Sequence, residues 1–96
     1  MTIKYKYNED ISIHELKEYI DKTYDEHYSK DKFQATEFII DSGHGEGFCI
    51  GNIMKYAQRY GKKDGYCRKD LLKVLHYGII ALHNHDIKRG DNNEVK

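Results

Sequence analysis

The amino-acid sequence predicts an all-α protein, a small bundle of about four helices behind an extended N-terminal arm. Three observations carry this expectation. The 96 residues contain no proline, so glycine is the only strong punctuation. Glycine-bearing breaks at 43–47, 61–65 and 90 divide the chain into segments of helical length. Within those segments apolar residues recur every three or four positions, the spacing of one helix face. At 11.4 kDa and 39% hydrophobic content, the chain holds one domain, 1–96, near the lower limit for a self-sufficient core, so a homo-oligomer is expected.

The elements follow in order. Residues 1–11 alternate Ile3, Tyr5 and Tyr7 with polar residues, which reads as a short strand or an extended arm. Ser12-Ile13-His14-Glu15 has the form of a capping box and opens a first helix to about Tyr24, with Ile13, Leu16, Tyr19 and Ile20 as its stripe. A second, shorter helix covers about Phe33 to Asp41 and stops at Ser42-Gly43. Gly43-His44-Gly45-Glu46-Gly47 reads as a flexible connection into a third helix, about Phe48 to Tyr60. There Ile50, Ile53, Met54, Ala57 and Tyr60 form an apolar side, and Asn52, Lys55, Arg59 and Lys63 fall roughly 160° away. Gly61 stops this helix, and a polar turn leads to a fourth, about Arg68 to Asp86, whose expected packing face is Leu71, Leu72, Leu75, Gly78, Ile79 and Leu82. Helices three and four then form the core, with one and two laid across them, and 89–96 is a frayed tail.

Composition narrows the function. Sixteen basic and sixteen acidic residues balance, so general DNA binding and anionic-membrane binding are not expected. No apolar run reaches the roughly 18 residues of a membrane span. Cys49 and Cys67 lack metal-knuckle or CxxC spacing and the first residues lack an apolar signal core, so a cytoplasmic, reducing compartment is expected. Charge is nonetheless uneven. Lys55, Arg59, Lys62, Lys63, Arg68 and Lys69 face only Asp64 between 55 and 69, a local excess that attracts a compact anion.

Lys55 and Arg59, one turn apart, with Lys62 and Lys63 beyond, supply the convergent donors a phosphate requires; the same pattern also reads as a solvated helix face. Tyr56, Tyr60 and Tyr66 lie beside these cations and offer rings on which a base stacks, or serve as core and rim residues. Glycines 43–47 match no phosphate-loop fingerprint, because Phe48 stands where the dinucleotide pattern has its third glycine. A Walker loop ending at Gly61-Lys62 would need glycine at Tyr56 and a hydroxyl at Lys63. A magnesium-phosphate site would draw on Glu37, Asp41, Glu46 or Asp70. Asp70 also suits the first turn of helix four or a lysine partner. His83 and His85 lie about 200° apart on a helix and cannot ligate one ion together. His27, His44 and His76 are available as acid or base groups, but no hydrolase triad or HExxH motif accompanies them.

A longer pattern runs through these residues. It comprises His27-Tyr28, Phe33 to Ile39 with Glu37, then Phe48-x-x-Gly51-Asn52-Ile53-Met54-Lys55-Tyr56-x-x-Arg59-x-Gly61-Lys62-Lys63, then Asp70-Leu71-x-Lys73-x-x-x-Tyr77. Over about 27–82 it resembles the SaV-like family of short bacteriophage proteins. The resemblance implies phage origin, a mostly helical oligomer and action on nucleotides, since that family includes a nucleoside monophosphate kinase without a Walker loop. It also includes proteins that make phage sensitive to an abortive-infection defence. The chain departs from the usual pattern at the glycine-rich 43–47 segment. Carried over residue by residue, the binding positions are His27, Tyr28, Glu37, Asn52, Lys55, Tyr56, Arg59, Lys62, Lys63, Asp70 and Lys73.

Two functions follow as expectations. One is a nucleotide-binding phage protein that transfers phosphoryl groups between nucleotides, with Mg2+ accompanying the nucleotide. The other is a non-catalytic anti-defence protein that sequesters a nucleotide signal or docks on a host defence protein.

Overall fold

The structure, a computed structural model, describes residues 2–27 and 31–90, with the side chains of 27 and 31–34 left aside. Helix α1 spans Glu9–His27, α2 Asp31–Ile39, α3 Gly45–Arg59 and α4 Arg68–Arg89. The architecture is all-α, and the described residues contain no strand. Ile3, Tyr5 and Tyr7 are exposed outside any helix, since an alternating segment without a neighbouring strand has no ladder to join. No helix among the described residues is long and apolar enough to cross a membrane.

The capping box does not form. Asn8 takes the left-handed conformation at φ 58, and its carbonyl already accepts the Ser12 N–H at 2.9 Å, so the helix starts a turn earlier. Asn8 therefore holds the position expected for Ser12. Glu9 accepts the Tyr7 N–H at 3.0 Å, and Glu15, the residue expected to reach back to the cap, is engaged elsewhere.

The connection expected at 43–47 is shorter than its composition suggests: Gly43, at φ 94, breaks the helical conformation in a kink between α2 and α3. Gly45 and Gly47 lie inside α3. Gly45 is there for proximity: it is buried against α4, where an added Cβ would run into Asn84 Oδ1 and stand 2.9 Å from Cγ. After α3, Gly61 at φ 86 turns the chain as expected, its N–H bonded to the Gly65 carbonyl at 2.8 Å. The Tyr66 ring lies over Gly61 and packs edge-on against Tyr60 at 5.3 Å. Helix α4 then runs one turn beyond the expected end to Arg89, stopping at Gly90 with φ 69; residues 91–96 of the expected tail lie outside the described residues.

The broadest contact in the protein is α3 against α4, with α1 and α2 on one side of that pair. Its orientation reverses the sequence expectation. Gly45, Cys49, Asn52, Tyr56 and Arg59, at helical spacing, are buried or half-buried on α3, as are Phe48 and, of the expected apolar side, Ile53, whereas Ile50 and Met54 are exposed. On α4, Leu71, Leu75, Ile79 and Leu82 are likewise exposed instead of forming the packing face. Cys49 is the one hydrophobic side chain buried outright among the described residues. The physical reason is that tyrosine rings and the aliphatic stems of Arg and Lys cover as much apolar surface as Ile or Met while keeping a polar tip.

The Gly45 contact yields a stability test. Gly45→Ala should destabilise the protein by about 1–3 kcal/mol, because the methyl overpacks against Asn84, and chemical denaturation monitored by circular dichroism measures the loss.

Candidate functional site

Tyr56 is the hub of the side that α1 and α2 cover. Lys55 Nζ stands 4.9 Å from its ring centroid, the Arg59 guanidinium 5.1 Å and Lys73 Nζ 4.9 Å. Lys55 and Arg59 come from α3 and Lys73 from α4, one turn below Tyr77, whose ring lies parallel to Tyr56 at 6.1 Å and 10°. Because the three cations share one ring, no two are farther apart than about 10 Å, one Debye length at 0.1 M salt. They repel one another, and the ring's electron-rich face offsets this only in part.

Among the described residues, one carboxylate answers them. Asp70, 3% exposed in the first turn of α4, has Oδ1 3.6 Å from Arg59 Nε. That separation is an ion pair without a hydrogen bond. Arg59 Nε and Asp70 Oδ2 have no hydrogen-bond partner among the described residues. Three positive charges against one negative leave a surplus at Tyr56, and a surplus of convergent cations is what an anionic ligand neutralises.

Beside the cations lies an aromatic cleft between Tyr19 and Thr23 of α1, Thr36 of α2, and Tyr56, Lys73, His76 and Tyr77. Tyr19 meets His76 edge-on at 6.1 Å, and Phe48 meets Tyr77 at 5.8 Å. The cleft's cavity volume is about 60 Å³, well short of the roughly 300 Å³ or more of a small-molecule pocket. A heterocycle therefore enters only as α1 moves outward. Arg68 also ties α1 to the start of α4, its Nε and Nη2 donating to Glu15 Oε2 and Oε1, both at 2.7 Å. Those hydrogen bonds hold the Glu15 carboxyl below its usual range. Burial pushes the Tyr19 and Tyr77 hydroxyls up and His76 down, which leaves the imidazole neutral near pH 7.

Of the expected site residues, the fold brings together Lys55, Tyr56, Arg59, Asp70 and Lys73. Asn52 is half-buried on the same side of α3, but its Nδ2 donates to the Phe48 carbonyl at 2.9 Å and serves its own helix. Lys62 and Lys63 are exposed in the turn and make no ring or ion-pair contact among the described residues, because Gly61 ends the helix before they can join its basic side. Glu37 is exposed on α2 and forms no ion pair among the described residues. The His27 side chain and Tyr28 lie outside the described residues. Among the described residues no three His, Cys, Asp or Glu side chains are grouped to hold a metal ion. Glu46, one of the candidate carboxylates, sits 3.7 Å from Arg89 instead. Sequence reasoning missed Thr23, Thr36 and Tyr77 as cleft residues; the four-residue step from Lys73 to Tyr77 was the one available signal.

Fold and site together define a small all-α protein with a cation-ringed tyrosine between its two central helices. The chain belongs to a family described as protein of unknown function, DUF3310, whose model matches residues 22–78. That span contains all five members of the Tyr56 cluster. No curated protein and no solved structure matches the chain.

Two groups give the pH dependence a definite sign. The unfolded chain protonates His76 near its ordinary 6.5 while the folded chain resists, so stability falls as pH drops from 6.5 through the lower folded value. Glu15 adds stability that is complete above its ordinary 4.5 and is lost as pH falls through its lowered folded value. Thermal melts should decline in both windows, with His76→Gln flattening the first and Glu15→Gln the second; NMR should show the His76 imidazole titrating below 6.5.

Proposed function

We propose that the protein binds a nucleotide, its phosphate among Lys55, Arg59 and Lys73 and its base against the Tyr56–Tyr77 and Tyr19 rings once α1 gives way. The observation that carries this reading is the convergence of three cations on one tyrosine with a single, buried counter-charge. Each charge-assisted hydrogen bond to phosphate contributes roughly 1.5–3 kcal/mol, so two or three suffice for micromolar affinity. Base stacking on an aromatic ring adds roughly 1–3 kcal/mol. The resemblance to SaV-like phage proteins supports the same ligand class, a phage origin and residence in the host cytoplasm. With a neutral chain and a small patch of charge, DNA as a general partner is disfavoured.

That resemblance also supports phosphoryl transfer between nucleotides, with Mg2+ arriving on the phosphates, because such transfer needs positioning and charge neutralisation more than covalent chemistry. A specific observation favours the alternative of binding without turnover, as in an anti-defence protein that sequesters a nucleotide signal. Asp70, the one carboxylate in the cluster among the described residues, is 3% exposed beside Arg59, which keeps it from a magnesium ion arriving with a nucleotide from solvent. In either version the size of the chain supports a homo-oligomer.

Calorimetry against a panel of nucleoside mono-, di- and triphosphates tests the proposal. Binding should weaken by about 1.5–3 kcal/mol with Lys55→Ala and again with Lys73→Ala, while helical content is unchanged. Absence of heat from every nucleotide removes the reading. Arg59→Ala is unsuitable as a binding test, because stranding the buried Asp70 should itself destabilise the fold by about 3–5 kcal/mol. Incubation with ATP and a monophosphate separates the two versions: a kinase makes diphosphates, and a sequestering protein returns both unchanged.

A further inference from the structure

A second cavity lies toward the other end of the α3–α4 pair, where the start of α3 meets the end of α4. Glu46 and Ile50, one turn apart on α3, face Ala81, His85 and Arg89 on successive turns of α4, with Asn84 between the helices. Its volume is about 280 Å³, close to the roughly 300 Å³ at which small-molecule pockets begin. A metabolite of amino-acid size fits such a space.

Asn84 sets this cavity apart. It is 4% exposed, and its Oδ1 has no hydrogen-bond partner among the described residues. It also stands so near Gly45 that it excludes a side chain there, although Gly45 holds ordinary helical angles, φ −64 and ψ −37, that any residue adopts. Both halves of this arrangement weaken a lone chain: glycine loses more conformational freedom on folding than any other residue, and a buried amide without a partner has lost its hydration. Alanine at 45 and at 84 would avoid both. Asp70, the other buried polar side chain among the described residues, is by contrast paired with Arg59.

The rim offers both signs of charge side by side. Arg89 Nη2 and Glu46 Oε1 are 3.7 Å apart, an ion pair too long for a hydrogen bond, and the two side chains are 47% and 62% exposed. A purely anionic guest is repelled by Glu46 and a purely cationic one by Arg89. A guest with both charges on neighbouring atoms satisfies each.

We infer that this cavity binds a zwitterionic small molecule of the α-amino-acid class, its carboxylate on Arg89, its ammonium on Glu46 and its aliphatic part on Ile50 and Ala81. The terminal torsion of asparagine is broad, so the Asn84 amide turns its oxygen or nitrogen toward the charged head without any movement of α4. Asn84 thereby gains the partner it lacks. His85, half-buried between Ala81 and Arg89, adds an imidazole able to donate at one nitrogen and accept at the other. The site shares no residue with the Tyr56 cluster and does not depend on what that cluster binds.

NMR titration of the wild-type chain with free leucine, then with the other free amino acids, tests the site. Leucine should shift the Asn84 side-chain amide and the Gly45 backbone amide. The acid left by removing leucine's amino group, and the amine left by removing its carboxylate, should each bind more weakly by about tenfold or more. Glu46→Gln and Arg89→Gln should each weaken leucine by a similar factor with helical content retained, because both side chains stand at the rim. The double variant Gly45→Ala with Asn84→Ala separates binding from structure. It should melt at or above the wild-type Tm and yet lose leucine. Absence of a shift from every amino acid overturns the inference, as does binding of the acid or the amine as tight as that of leucine. A double variant that melts lower, or that binds leucine as the wild type does, makes Asn84 a structural residue and overturns it too.

Discussion

The pairing of Arg59 with Asp70 sets the orientation on which the rest of the protein depends. Arg59 closes α3 and Asp70 opens α4, so their ion pair joins the two helices just above the turn that connects them. A buried ion pair of this kind adds little net stability, because removing both charges from water opposes their attraction. Its larger effect is directional. With Arg59 turned inward, the three- and four-residue rhythm of α3 carries Tyr56, Asn52, Cys49 and Gly45 inward behind it. Ile50 and Met54 are thereby sent outward. The cation cluster and the bare apolar face are two results of one rotation about the α3 axis.

How far the sequence disclosed this depended on the kind of signal. Where helices lie was readable from glycine and the absence of proline, as the stop at Gly61 and the start of α4 at Arg68 illustrate. Which side faces inward was not readable, because hydrophobicity scores Ile50 and Met54 above the tyrosine ring and arginine stem that pack instead. Glycines 43–47 resemble a linker by composition, yet Gly45 is selected by the nearness of Asn84, a residue 39 positions away that no local window includes. Within the site, Lys55, Tyr56 and Arg59 were legible from helical spacing, and Lys73 and Asp70 from the longer pattern. The contributions of Thr23 and Thr36 depend on how α1 and α2 cross the central pair, which local sequence does not encode.

The electrostatics divide along similar lines. A chain with as many acids as bases still concentrates Lys55, Arg59 and Lys73 around one ring and, among the described residues, partners only one of them with a carboxylate. Elsewhere charges are matched locally and at the surface, as in Lys17 with Asp21 at 3.0 Å and His14 with Glu18 at 3.2 Å, pairs worth little individually. Arg68 and Glu15 differ in geometry: their two-point hydrogen bonding fixes the angle at which α1 lies over the cleft.

Cys49 and Cys67 report on opposite conditions within one molecule. Cys49 is sealed between the central helices with its thiol pushed up by burial, and is inert to alkylating reagents for as long as they stay together. Cys67 is half-exposed at the N-cap of α4 and remains open to modification. Their relative labelling rates therefore form an internal clock, counting how often the helical hairpin parts and recloses without any engineered probe.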